Sequence, residues 1–528
     1  FRMIDDTDTD KYARVEHMTR KRLDSTSNPC DTASTGYLAR ASLRFDGLGR
    51  PKVEKRWMGS SSWAKRVTEY LGSGWVDRRS EWDNNATAAA GLKWTTFAYD
   101  ALGRPTTTTP PDGGGHAVVM SYRGARTTNR QAYVKLDETS EKQLTTVETR
   151  DRFGRLAGVA EQLDAATTPS WITAVYTYDL GDRLIGVKVD GPGAGDQSRS
   201  FVYDNRGFLL GENLPEKTTA SGSIYDVEHG GYDARGHATW RRDGSSMLGM
   251  AVDKAERLVK VCAGACGSGE TLLTQLTYAA ANIPATGTPT DWRKGKLVQA
   301  TAVQPSFTLS AGVTSGTTTV TEALAYKGAG GRVSSRTTTL NIAGSTTGDV
   351  TNHAFTQSFA WNELGLPSAL GYGTCSSTTP CTGVGDRGVY PTYTAGLLTG
   401  VGPYYAQAIS YHWSGLPKTI THTRRVLDVA NGVTETTGIS LATMMARPLS
   451  IATSGVTDTA GAVSNWSTGS TAYDGTGNIV STARDASNLE TYRYDGLSRL
   501  TSAKRTVAGA PTTQTYVYDD TGNLTSYA

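Results

Sequence analysis

Tyr473-Asp474-Gly475-Thr476-Gly477-Asn478, Tyr494-Asp495-Gly496-Leu497-Ser498-Arg499 and Tyr518-Asp519-Asp520-Thr521-Gly522-Asn523 are three copies of one six-residue phrase. A fuller version stands at Tyr99-Asp100-Ala101-Leu102-Gly103-Arg104. Asp at the first and Gly at the fourth position of a four-residue turn suit a type I turn, and the Gly adopts the left-handed conformation without a Cβ penalty. A type I turn followed by a left-handed residue makes a bulged hairpin loop whose bend fits the twist of the strands it joins. The Tyr then ends one strand and the Asp carboxylate accepts from backbone two residues on. An apolar residue such as Leu500 or Leu524 opens the return strand. Each copy predicts one β-hairpin.

Working outward, looser copies run through most of the chain. The first is Phe45-Asp46-Gly47-Leu48-Gly49-Arg50, followed by a degenerate one at Tyr70-Leu71-Gly72-Ser73-Gly74-Trp75. A partial copy at Tyr122-Arg123-Gly124 leads to Asp151-Arg152-Phe153-Gly154-Arg155. Tyr178-Asp179, Tyr203-Asp204 with Gly207, and Tyr232-Asp233 with Gly236 continue the series, and Asp253 with Arg257 keeps the frame without its Tyr or Gly. Steps of 25 and 29 residues separate Tyr178, Tyr203 and Tyr232, the size of one supersecondary unit per repeat. The stretch Trp63 to Leu71 also fits a short amphipathic helix, but the repeat frame favours a strand there. Residues 1–40 lack the phrase and form a lead-in; 41–528 form the array, degenerate and rich in Thr, Ser and Gly at about 260–460. Tyr326, Trp361 to Pro367 and Tyr411 to Pro417 hold the frame inside that stretch.

The composition fits an all-β class. Thr runs favour strands and 59 Gly supply turns. The 528 residues carry 53 basic and 50 acidic side chains, interspersed, for a net charge of +3, which predicts no nucleic-acid or membrane-surface field. No apolar run reaches the roughly 18 to 20 residues needed to span a bilayer, so no membrane span is expected. The ends, Phe1-Arg2-Met3 and Tyr518 to Ala528, read as those of a segment or a processed product. Of five cysteines, Cys262 with Cys266 and Cys375 with Cys381 form close pairs in small-residue loops, and Cys30 is left over. Disulfides in an oxidising compartment are the leading reading of these pairs. Free thiols and zinc are the rivals, zinc being short of ligands because neither pair has Cys-x-x-Cys spacing or nearby His.

No other pattern points to chemistry. Asp6, Asp8 and Asp10 alternate as calcium-loop carboxylates do, but Lys11 and His17 occupy positions where that loop needs Gly and Glu. Gly-x-Ser-x-Gly, His-Glu-x-x-His and phosphate-loop motifs are absent, and Gly191 to Gly195 and Gly328 to Gly331 read as turn glycines. His229, His237, His412 and His422 are scattered, which suits surface or packing roles. The repeated Asp and Arg argue against an acid–base pair, because a catalytic pair is needed once and a turn lock at every hairpin. With 25 Tyr and 11 Trp, a ring ladder for sugars or bases is conceivable, yet a Tyr at one fixed place per hairpin more simply packs on neighbouring strands. No metal, cofactor or catalytic residue is assigned.

At Tyr99 to Arg104, and at Tyr178, Tyr203, Tyr232, Tyr473, Tyr494 and Tyr518, the chain resembles the YD-repeat or rearrangement-hotspot (Rhs) family over roughly residues 41–527. That family includes bacterial polymorphic toxins, the C components of insecticidal toxin complexes and the teneurin adhesion receptors. The resemblance implies hairpins joined edge to edge into one spiralling sheet that forms a hollow shell; periodicity alone also allows a flatter solenoid or a set of sandwiches. Bacterial members close the shell with an Asp-Pro-x-Gly region that releases a C-terminal toxin. No Asp-Pro pair occurs here, so any autoprotease or toxin is expected beyond residue 528 or not at all. The expected function is a non-enzymatic shell of a secreted bacterial protein enclosing a polypeptide cargo. The alternative is an extracellular structural or adhesive surface with a cell-surface ligand, its self-association left open.

Overall fold

The computed structural model describes residues 2–5, 13–20, 37–137, 140–193, 197–217, 219, 222–267, 269–281, 292–310, 312–328, 330–372, 375–376, 387–402, 406–422, 433–454, 466–485 and 487–528. They are nearly all strand, and the named strands pair antiparallel, mostly with their neighbours in sequence. Two compact units arise: Phe1–Tyr176 with Lys188–Gln197 and Pro391–Ala528, and Thr177–Val187 with Ser198–Tyr390.

In the first unit the ladder begins inside the lead-in: Arg2–Asp5 pairs with Ala13–Arg20, which pairs with Tyr37–Phe45. The lead-in thus lacks the phrase but not the fold, because ladder hydrogen bonds come from backbone and need no motif. Asp6, Asp8, Asp10, Lys11 and Cys30 lie outside the described residues. The ambiguous stretch from Trp63 is the strand Ser62–Tyr70, paired with Pro51–Gly59. The same unit closes with a six-stranded ladder, Ser470–Tyr473, Ile479–Asp485, Asn488–Tyr494, Leu500–Val507, Ala510–Tyr518 and Leu524–Tyr527.

In the second unit the degenerate Thr-rich stretch forms its longest strands, Val313–Lys327 and Arg332–Ser345, of 15 and 14 residues. Thr pairs such as Thr321 opposite Thr339 fill the ladder with β-branched side chains that suit the pleat. The disulfide Cys262–Cys266 staples the turn after Leu258–Ala263. Cys381 lies outside the described residues and only the backbone of Cys375 is described, so their pairing does too.

Buried apolar side chains are few and strung along the ladder, among them Ala64, Ala132, Val134, Leu144 and Ile172 in the first unit and Val227 and Cys262 in the second. Among the described residues these side chains do not gather into one central core. Each hairpin relies on its neighbours, as in other linear repeat proteins.

Candidate functional site: the motif clasp and its seats

Every full copy of the phrase builds the same turn. At Asp100 the backbone N–H donates to Arg104 O at 3.0 Å, and Gly103 N–H donates back to Asp100 O at 3.0 Å. The Asp100 carboxylate accepts from the amides of Leu102 and Arg104 with one oxygen and from Arg104 Nε, at 2.7 Å, with the other. The register slips by one between Ala98 and Tyr99, the bulge that the turn chemistry predicts. Asp46, Asp151, Asp179 and Asp253 repeat this triple acceptance. His237 replaces the Arg beside Asp233, and Asn478 and Asn523 replace it beside Asp474 and Asp519. Amides aimed at a carboxylate favour its charged form. The amide four residues on is the largest cause holding Asp46, Asp100 and Asp179 below the ordinary carboxylate range, and it brings Asp233 to about 2.

Gly103 needs its lack of a Cβ twice over: its φ is 80°, and the Trp75 ring would lie 2.5 Å from an added Cβ. The left-handed seat is nonetheless not reserved for Gly. Asp182, Glu256 and Ser498 occupy it with φ of 62°, 66° and 60°. In the Tyr178 copy, Gly181 is therefore one residue short of the left-handed position.

The phrase also joins each hairpin to the next. The Tyr hydroxyl reaches back to the carbonyl that opens the preceding return strand: Tyr99 to Val76 O at 2.9 Å, Tyr203 to Leu184 O at 3.0 Å, Tyr473 to Pro448 O at 2.7 Å and Tyr494 to Ile479 O at 2.7 Å. Tyr70, Tyr122, Tyr232, Tyr278 and Tyr326 do the same, while Tyr411 and the indole N–H of Trp361 reach the second carbonyl of the preceding return strand, at Leu398 and Val333. Burial pushes the hydroxyls of Tyr99, Tyr473 and Tyr494 further above their ordinary value. The Arg reaches forward. Arg104, Arg183, Arg257 and Arg499 each donate to a carbonyl in the following turn. The same guanidiniums lie 4.2 to 5.1 Å from the following Tyr ring, over Tyr122, Tyr203, Tyr278 and Tyr518. A cation over a ring at such half-exposed sites contributes about 0.5 to 1 kcal/mol. Where the Arg is replaced by Trp75 or Phe208, a ring–ring contact takes its place, tilted by 40° against Tyr99 at 5.3 Å and stacked on Tyr232 at 4.9 Å.

In the first unit, three successive tips of the closing ladder seat in three successive loops at the far edge of earlier hairpins. Lys135 N–H donates to Asp474 Oδ2 at 3.2 Å and Gly475 N–H to Glu141 Oε2 at 3.2 Å. Next, Gly496 N–H donates to Leu163 O at 3.0 Å. Finally the Asp520 carboxylate receives Gly193 N–H at 3.0 Å, close enough to Gly191 that an added Cβ would stand 2.4 Å from it. Beside the first seat, Arg447 pairs with Asp112, which His116 also approaches at 2.8 Å. The partners of these contacts lie 327 to 339 residues apart in sequence. Asp474 has no exposed surface.

The seats were not foreseen in the sequence; Gly191 and Gly193 lie in the connection after the strand Leu184–Asp190, and Gly193 in addition donates to a carboxylate there. His412 takes the Asp place of its turn and meets Thr437 O at 2.7 Å, and His229 meets Glu212 at 3.0 Å. Among the described residues no three His, Cys, Asp or Glu side chains converge as a metal site, and no helix is long and apolar enough to cross a membrane.

Residues 473–511 match the RHS Repeat family model. No curated protein matches the chain in sequence. Among solved structures, a TcdB2–TccC3–TEV crystal structure shares 16% identity over 98% of this chain and 26% of its own, with a TM-score of 0.68. The Photorhabdus luminescens Tc holotoxin pore carrying a mutated TccC3 gives 16%, 98%, 26% and 0.69 in the same terms. TcdB2–TccC3 without its hypervariable C-terminal region gives 16%, 97%, 26% and 0.66. This likeness shows the fold, and the chain spans about a quarter of the length of those chains.

Proposed function

We propose that this chain, an RHS-repeat hairpin array with the fold seen in TcdB2–TccC3, is a wall segment of a shell that encloses a polypeptide cargo. The observation that carries the reading is the seating of the tips at Asp474, Gly496 and Asp520 in the loops at 135–141, 163 and 191–193. Seating the tips of one stretch in the loops at the far ends of earlier hairpins joins the two rows with directed hydrogen bonds and makes a barrier taller than one hairpin. The wall acts without catalysis, by exclusion. The Cys262–Cys266 disulfide supports a secreted protein, since such bonds persist in oxidising compartments.

Digestion of the whole natural protein tests this. A protease should remove cargo sequence more slowly from the intact protein than from a Gly475→Val/Gly496→Val variant whose seats are spoiled. Equal rates in the two would overturn enclosure.

A further inference from the structure

The first residue after a return strand is where a seat takes hold. Lys135 follows the strand that ends at Val134, Leu163 the one that ends at Gln162, and Gly191 the one that ends at Asp190. Lys135 gives its amide to Asp474 Oδ2 and takes the Tyr494 amide on its carbonyl at 3.0 Å. Leu163 takes the Gly496 amide on its carbonyl, and Gly191 lies against the Asp520 carboxylate. Each of these partners belongs to a hairpin of the closing ladder.

In the second unit Leu214 holds the same place, directly after the strand Leu209–Asn213. Both of its backbone groups are already taken, and by its own connection. Its amide donates to Asp226 Oδ2 at 2.7 Å, as the amide of Lys135 does to Asp474, and its carbonyl accepts from Lys217 N–H at 3.0 Å. Thr219 donates its hydroxyl to the other oxygen of Asp226 at 2.6 Å, and Lys217 pairs with Asp243. Asp226 is only 6% exposed.

Tyr225 and Asp226 open the phrase as Tyr473 and Asp474 do, but they build no hairpin. His229 stands where the turn would need its left-handed residue, and the chain runs straight into the strand Val227–Gly230. Contacts from neighbouring strands hold the pair instead. Glu228 Oε1 accepts the Ile224 amide at 2.6 Å while Arg242 engages the other oxygen at 3.1 Å. The Tyr225 ring packs on Gly211, where an added Cβ would stand 2.1 Å from it.

We propose that the connection 214–226 is a fourth seat for a Tyr-Asp hairpin tip, held shut by the chain's own Asp226. An amide bonded to a carboxylate is among the stronger hydrogen bonds of a protein. A tip arriving at Leu214 would have to displace that bond and the one from Lys217 to gain equivalent ones. The chain thereby fixes which of its connections receive tips. The bonds of the seats alone carry this, whether or not the wall encloses a cargo.

Titration of the full chain with a head-to-tail cyclised peptide of residues 470–483 tests it. The peptide closes where Ser470 pairs with Ala483 and carries Asp474 at its tip. The unaltered chain should not bind at up to about 1 mM peptide, whereas Asp226→Ala should bind with a Kd below about 1 mM. In a leucine-labelled sample of that variant the Leu214 amide resonance should move as the peptide is added. A peptide carrying Asp474→Ala should bind at least about tenfold more weakly. Lys217→Ala/Thr219→Ala unfastens the same connection and leaves Asp226 in place; it should admit the peptide too, and it decides the matter if Asp226→Ala does not fold. Equal binding by the unaltered chain, no binding by either folded variant, a Leu214 resonance that stays still, or indifference to the peptide's Asp474 overturns the proposal.

Discussion

The tips at Asp46, Asp100 and Asp151 and the tips at Asp474, Asp495 and Asp519 share one turn but live in opposite surroundings. At the matching position, Asp46, Asp100 and Asp151 of the early set keep 14%, 23% and 22% of their side chains exposed, whereas Asp474 in the late set is wholly covered. Turn chemistry is therefore local and complete before any tertiary contact, and the seat is an addition to it. The second residue of the turn is where the addition is made: Gly475, Gly496 and Asp520 all touch the receiving loop there.

Substitution at that second residue should break the comparison most. A Cβ at Gly496 would stand 1.8 Å from Gln162 O, while at Gly47 nothing lies within 4 Å. Gly496→Val should cost about 1 to 3 kcal/mol by overpacking, and Gly47→Ala should stay within about 0.5 kcal/mol; thermal or denaturant melts of both variants measure the contrast. Equal losses would mean that the seat does not bear on stability.

Removing the carboxylate should separate the sets less sharply. Asp474→Ala deprives the amides of Lys135, Thr476 and Asn478 of their acceptor in a covered site, at about 1 to 3 kcal/mol. Asp100→Ala deprives only its own turn, where water can substitute, and should cost less in the same melts.

Acid should act on the turn itself, in the Asp233 copy outside both sets as well as at Asp519 of the late one. Asp233 and Asp519 are held at about 2, against an ordinary 3.8, chiefly by the His237 amide and by the Asn523 side chain respectively. With folded values depressed, the unfolded chain binds more protons between about 4 and 2, so their contribution is whole above that window and is lost as pH falls through it. Hydrogen exchange at Arg235, His237, Thr521 and Asn523 should quicken over the same interval. Protection that is flat to pH 2 would contradict the turn geometry.

The hairpins could be read from sequence because Asp, Gly and the following apolar residue act within six positions. The left-handed seats of Asp182, Glu256 and Ser498 were less legible, since the turn's own bonds, from their amides back to the carbonyls of Asp179, Asp253 and Asp495, hold a residue other than Gly there. The forward clasp escaped because its partner sits in the next copy, although Trp75 and Phe208 at the Arg position were a usable sign: only a partner facing a ring explains that exchange. The seats were beyond reach. Gly47 and Gly496 are the same residue at the same turn position, one in open space and one against backbone, and no local pattern distinguishes them.

The clasp also has a direction, and synthesis runs along it. A ribosome delivers the amino-terminal hairpins first, so when Tyr99 emerges its acceptor at Val76 is already in place, whereas Arg104 must wait for Gly124. Each newborn hairpin thus arrives to a finished docking point and leaves a guanidinium extended toward the one that follows. Growth of the ladder is biased to proceed in the order of translation, with the last clasp always open until the next hairpin closes it.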